Sequence, residues 1–177
     1  MAEKEIVFYT GGARSGKSAA AQREVEGFNG ELAYLATAEV RDSEMADRVE
    51  KHRLARGDRW STVEEPLDLA GALRAIGNDK GGVLVDCLTL WTSNLLHEHG
   101  GDEEKIMSAV EEFIGELTKR RLNVVVVTNE TGSGIVPLEP LARAFRDLAG
   151  TINQRVAAVA DRAYLVVSGL PLKLGKS

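Results

Sequence analysis

Ile6-Val7-Phe8-Tyr9-Thr10-Gly11-Gly12-Ala13-Arg14-Ser15-Gly16-Lys17-Ser18 is an apolar run that passes into a glycine loop and ends on a lysine and a hydroxyl. Residues Gly11 to Ser18 (GGARSGKS) fit the pattern G-x-x-x-x-G-K-[ST] at every position. The chemistry explains that spacing. Glycines let the backbone wrap a phosphate and turn its N–H groups inward. Ile6–Thr10 is expected as a strand and Lys17–Glu26 as the helix that follows, which brings its positive N-terminal end to the same anion. Lys17 can then reach the β- and γ-phosphates, and the Ser18 hydroxyl can ligate Mg²⁺. Arg14 is read either as a phosphate contact or as a solvated loop residue. The loop implies a bound nucleoside triphosphate and does not separate kinase, ATPase, GTPase or motor.

Outward from the loop, short β-branched runs alternate with helical stretches. Strands are expected at Leu32–Thr37, Ser61–Glu64, Val83–Cys87, Asn123–Thr128 and, as the last, Tyr164–Val167 stopped by Gly169-Leu170-Pro171. Helices are expected at Glu44–Ala55, Leu67–Ile76, Leu88–Leu96, Glu103–Arg120 and Leu138–Ala160, the last broken near Gly150. The four valines of Asn123–Thr128 want burial on both faces. The reading is α/β: a mainly parallel sheet with helices on both faces. Right-handed crossovers then line up the strands' C-terminal ends along one edge, where ligands bind. Gly11, Thr37, Asp86 and Asn129 sit at such ends and are expected to converge.

The chain has 177 residues, which suits one domain with one core. Its net charge of -5 argues against non-specific nucleic-acid binding, which needs a basic surface. Cys87 is the single cysteine, so no internal disulfide forms and a reducing compartment is the default. The apolar run near the start is too short for a signal sequence, and no stretch approaches the roughly 20 apolar residues of a membrane helix. A cytoplasmic protein is expected.

Four further places carry candidate chemistry. Asp86 ends an apolar strand, either as a carboxylate that holds Mg²⁺ directly or through water, or as a cap for the helix from Leu88. On a helix, Met45, Arg48, Val49 and His52 share one face, with Arg48, Lys51, Arg53 and Arg56 around the imidazole. His52 is read either as an ordinary helix histidine or as a nucleophile toward phosphorus; nearby cations would disfavour its protonated form and offset charge in the transition state. Val127–Pro137 is a strand end followed by a glycine-bearing loop at the ligand edge. In Arg143–Arg155, Arg143, Arg146 and Asp147 lie within one turn. Both segments are read either as site or as architecture.

Taken together, these segments resemble the bifunctional adenosylcobinamide kinase / adenosylcobinamide-phosphate guanylyltransferases of cobalamin biosynthesis. The resemblance runs from Gly11 to Gly169. It rests on the GGARSGKS loop, the turn Ala36-Thr37-Ala38, the H-R-x-x-R segment His52 to Arg56, and Trp60 with Glu64. Beyond these come Asp86-Cys87-Leu88-Thr89, the V-T-N-E-x-G-x-G-I-V-P loop and the R-x-F-R-D-x-x-G-x-x-N-Q-R run. It implies a RecA-like P-loop fold and two reactions. The first phosphorylates adenosylcobinamide with ATP or GTP. The second transfers GMP from GTP to that phosphate through a guanylyl-histidine, which the motif places at His52. It also implies nucleotide contacts at Gly11, Gly12, Ala13, Arg14, Ser15, Gly16, Lys17, Ser18, Ala36, Thr37, Ala38, Arg53, Leu54, Ala55, Arg56, Glu64 and Asp86, and a homotrimer. One departure is Gly57, where the family usually has proline; glycine ends a helix but leaves the loop behind Arg56 looser.

Two rival readings make different products. A monofunctional P-loop kinase forms ADP and no nucleotidyl-protein, and a nucleotide-gated binding protein forms neither. His97 and His99 have metal-like spacing without arranged partners. Cys87 reads as a small core residue, Glu103-Glu104 and Glu111-Glu112 as helix first turn and solvent face, and Trp60 and Trp91 either as packing or as contacts to a corrin.

Overall fold

The computed structural model describes residues 4–38 and 56–175. Seven strands form one sheet in the order β3-β2-β4-β5-β1-β6-β7. They are β1 (Ile6–Gly11), β2 (Leu32–Ala36), β3 (Trp60–Glu64), β4 (Gly82–Asp86), β5 (Asn123–Val127), β6 (Arg162–Val167) and β7 (Leu170–Leu174). All neighbours are parallel except β6 and β7. The helices are α1 (Lys17–Glu26), α2 (Leu69–Ala75), α3 (Leu88–Glu98), α4 (Glu103–Thr118) and α5 (Pro140–Val159). The helix expected at Glu44–Ala55 lies outside the described residues.

Alternation along the strands sorts the core into two layers. Ile6, Phe8, Ala33, Leu35, Val83, Val85, Val124 and Val126 face helices α2 to α5 and pack with Trp91, Phe113 and Ile152. Val7, Tyr9, Leu32, Leu84, Val125 and Val127 face the opposite way, onto Ala20, Ala21 and Val25 of α1. The central strands are therefore apolar on both faces, as the valine run requires. From β1 the chain crosses through α1 to β2 on one side, whereas β5 leads through α5 to β6 on the other. That reversal opens a crevice at the C-terminal edge beside β1 and β5.

Two expectations are overturned. Helix α5 runs through Gly150 without a break. Its glycine lies in a continuous i→i−4 ladder, and the apolar face Leu148, Ala149, Ile152 and Val156 buries on both sides of it; packing outweighs the cost of one helical glycine, about 1 kcal/mol. The strand ending at Val167 is also not the last. Gly169 and the αL residue Ser168 make a tight turn, and Leu170–Leu174 returns antiparallel to β6. Pro171 is tolerated there because β7 is the edge strand. Smaller shifts have local causes: Asp68 accepts from Gly71 N and so starts α2 at Leu69 rather than Leu67.

Candidate active site

The phosphate loop is set by close backbone approaches. A Cβ on Gly11 would lie 2.5 Å from the Val166 carbonyl and 2.8 Å from Ser15 Oγ, so only glycine fits. Gly16 has φ +92°, and Arg14, exposed, holds a left-handed conformation at φ +57°. Gly12 O accepts from Ser15 N at 3.2 Å. Gly16 is the N-cap of α1 with no side-chain cap and no acidic residue in the first turn, which leaves the helix's positive end to an external anion. Lys17 is nine-tenths buried, and its Nζ donates to Gly12 O at 3.1 Å. Its ammonium therefore already lies against the loop. Gly12, Ala13 and Ser18 are exposed, while Ser15 is buried together with its hydroxyl.

The sheet register brings the other edge residues into one row. Glu64 and Asp86 both pair with Ala36, and Asp86 pairs with Val127. Glu64 is exposed at the end of β3. Thr37 is fully buried: its hydroxyl donates to Cys87 O and accepts from Cys87 N, both at 2.8 Å. Its carbonyl accepts from Asn94 Nδ2 at 2.8 Å. Thr37 thus ties the ends of β2 and β4 together, with its side chain spent on backbone, and half-buried Ala38 follows it. Helix α3 has Cys87 as its N-cap residue, directly after Asp86.

Asp86 Oδ2 accepts the Tyr34 hydroxyl at 3.0 Å. The Arg56 guanidinium lies 3.4 Å from the centre of the Tyr34 ring, and its Nη1 reaches Thr62 Oγ1 at 3.5 Å. Burial, with the Asp86 charge, raises the Tyr34 phenol well above its usual range, so it stays protonated and donates. Burial lowers Arg56, and Tyr34 and Asp86 offset part of that. The sequence reading missed Tyr34, which looks like core inside Leu32–Ala36. The available signal was its place two residues before the strand end, on the same face as Asp86.

Residues of three separate segments meet behind the loop. Thr128 Oγ1 donates to Asn153 Oδ1 at 2.8 Å and pairs with Thr89 Oγ1 at 3.2 Å. Thr89 Oγ1 accepts from Asn129 N, and Asn153 Nδ2 donates to Asn129 O. Glu130 N then donates to Gly11 O at 3.1 Å. The V-T-N-E loop, Thr89 and the N-Q-R run are therefore one support of the phosphate loop. Trp91 is fully buried, edge-on to Phe113, with Nε1 on Leu67 O, so it is packing and not a corrin contact. Trp60 is half-buried on β3 and packs against the α1-side layer. His52, Arg53, Leu54 and Ala55 lie outside the described residues.

Comparisons with known proteins identify the family of the chain. Residues 7–174 match the family model described as cobinamide kinase / cobinamide phosphate guanyltransferase. The chain is 41% identical to the bifunctional adenosylcobalamin biosynthesis protein CobU of Escherichia coli, over 96% of this chain and 99% of that one. It is 42% identical to the bifunctional adenosylcobalamin biosynthesis protein CobP of Pseudomonas aeruginosa, over 93% and 94% of the two chains. Among solved structures it is similar to the RadB recombinase at 14% identity and a TM-score of 0.47, covering 93% of this chain and 74% of that one. On the family match and the curated relatives, this chain belongs to the cobinamide kinase / cobinamide phosphate guanyltransferase family.

Proposed function

We propose that this chain phosphorylates adenosylcobinamide with ATP or GTP and then transfers GMP from GTP to the product, giving adenosylcobinamide-GDP and pyrophosphate. One observation carries the reading: the phosphate loop and Asp86 share the C-terminal edge of one sheet, in a chain that matches the family over residues 7–174. The triphosphate lies in the loop, with Lys17 against its β- and γ-phosphates. His52 attacks the α-phosphorus of GTP; an N–P bond forms as the bond to the bridging oxygen breaks, and pyrophosphate leaves toward the loop. The phosphate oxygen of the cobinamide then attacks the same phosphorus, the N–P bond breaks, and the imidazole is restored. In the kinase step the acceptor hydroxyl meets the γ-phosphate instead, so triphosphate or acceptor shifts between steps.

Mg²⁺ suits the donor set. The exposed Ser18 hydroxyl in the first turn of α1 and the Asp86 carboxylate are hard oxygen ligands, few enough to leave places for phosphate oxygens and water. The ion would offset charge on the leaving phosphate oxygens. Gly11 to Ser18, Ala36 to Ala38, Arg53 to Arg56, Glu64 and Asp86 complete the proposed nucleotide contacts, with Thr37 acting through backbone. A homotrimer belongs to the same reading, and exposed Leu138, Leu141, Leu170 and Leu172 supply apolar surface for it. A single cysteine suits a cytoplasmic enzyme. No described helix is long and apolar enough to cross a membrane.

Incubation with α-³²P-GTP and Mg²⁺ tests the transfer. Acid-labile, alkali-stable label on the protein is expected from the α- but not the γ-phosphate, and not in His52→Ala, which keeps kinase activity. Loss of both activities in that variant would make His52 structural. Absence of label in the wild type, with and without corrinoid, would leave a kinase alone.

A further inference from the structure

Tyr34 belongs to none of the segments that define the site, yet its side chain touches two residues that do. Tyr34 pairs with Leu84 across β2 and β4, and Ala36 pairs with Asp86, so Tyr34 and Asp86 are diagonal neighbours on one face. Thr62, opposite Tyr34 on β3, flanks it on the other side. The ring face carries Arg56 at 3.4 Å, and the hydroxyl holds Asp86 Oδ2 at 3.0 Å. Helix α1 packs over β1, β4 and β5 on this face.

The chemistry of the stack matters. A carboxylate partner would hold Arg56 by consuming its N–H groups and cancelling its charge. An aromatic face holds the guanidinium without consuming its N–H groups, so that those other than the Nη1 contact to Thr62 Oγ1 can meet an anion. The same phenol donates to one oxygen of Asp86 and so helps to orient the carboxylate. Arg56 is also only four residues beyond His52 in the sequence.

We propose that Tyr34 is a positioning residue for guanylyl transfer, acting through Arg56 by its ring and through Asp86 by its hydroxyl. This rests on the functional reading above, and its test is arranged to fail separately. GTP affinity is measured by equilibrium titration, and the rate of protein labelling from α-³²P-GTP, for wild type, Tyr34→Leu, Arg56→Ala, the double variant and Tyr34→Phe. Circular dichroism and melting check each fold.

Tyr34→Leu is expected to weaken GTP binding by about tenfold, in the range for loss of a desolvated cation–π contact. In the Arg56→Ala background it is expected to add almost nothing, because the two act as one unit. Tyr34→Phe keeps the ring and the stack, so its GTP affinity stays within about threefold of wild type. Its labelling rate falls by about tenfold or more, the range for a hydrogen bond to a charged group. An equal effect of Tyr34→Leu with and without Arg56 would overturn the proposal. If Tyr34→Leu does not fold, Tyr34→Phe decides alone: a labelling rate equal to wild type overturns it. A wild-type protein that binds GTP but takes no label sinks the transfer reading, and the affinity cycle still decides whether Tyr34 positions Arg56.

Discussion

The backbone N–H of Gly169 donates to the Ser15 carbonyl at 2.7 Å, which fastens the turn between β6 and β7 to the underside of the phosphate loop. A Cβ at Gly169 would meet nothing within 4 Å, but its φ is +83°. Gly169→Ala therefore suffers from backbone conformation alone, about 1–2 kcal/mol. Each kcal/mol lowers the melting temperature by about 2–4 °C in a chain of this size. Gly11→Ala is different in kind, because its Cβ meets the Val166 carbonyl at 2.5 Å. Thermal melts and nucleotide titration are expected to separate them. Gly169→Ala melts lower and still binds GTP, whereas Gly11→Ala loses binding at concentrations that saturate the wild type. Equal behaviour of the two would contradict the close approach at Gly11.

Lys17 is held against the loop by one bond to Gly12 O, before any phosphate arrives. An ammonium fixed in advance needs no reorganisation as charge develops on the phosphate oxygens. Lys17→Ala is expected to keep the fold and to lower the kinase and guanylyl-transfer rates together, each by on the order of 10²-fold or more. Release of ADP and of pyrophosphate, measured separately, checks this. A variant that lost one activity and kept the other would mean that the two steps use different phosphate sites.

The sequence made the centre of this molecule legible for physical reasons that fail at its margins. GGARSGKS carries its own geometry, and the valines of β5 demand two covered faces, so loop, parallel sheet and edge followed. Strand β7 stayed hidden because Leu170–Leu174 is exposed throughout, with a proline, and has no burial pattern to read. Gly150 looked like a break because intrinsic propensity is local, while the apolar face of α5 is set by packing. At the site, Thr37 was legible as an edge residue, but not that its hydroxyl would be taken by Cys87. Tyr34 was missed since an aromatic in a strand reads as core until the register is known.

Asn153 joins the support behind the loop from α5, accepting from Thr128 Oγ1 and donating to Asn129 O. It is nine-tenths buried and its partner Thr128 is fully so, which keeps water from readily replacing it at that hydroxyl. Asn153→Ala leaves a hydroxyl and a carbonyl underserved, and about 1–3 kcal/mol of stability is expected to go. The effect on function should follow through Asn129 and Glu130 to Gly11, raising KM for GTP more than it lowers kcat. Urea unfolding and steady-state kinetics together test this. An unchanged KM in a destabilised variant would confine Asn153 to a structural part.

Glu116 makes a pH-dependent contribution far from the site. Its buried side chain accepts from Lys119 and from Arg74, with Arg121 at 3.6 Å. The Lys119 hydrogen bond, against the opposing pull of burial and with help from Arg74, holds the carboxyl below its usual range. A carboxylate with a depressed folded pKa binds fewer protons folded than unfolded around and below the ordinary value of about 4.3, so stability is present above that value and lost as pH falls through the folded one. Glu116→Gln removes the charge. Wild type is therefore expected to exceed the variant in stability at neutral pH, with the gap closing as pH drops below about 4. Urea midpoints taken across that range decide it: a gap that stayed constant into acid would show that Glu116 contributes shape and hydrogen bonding but not charge.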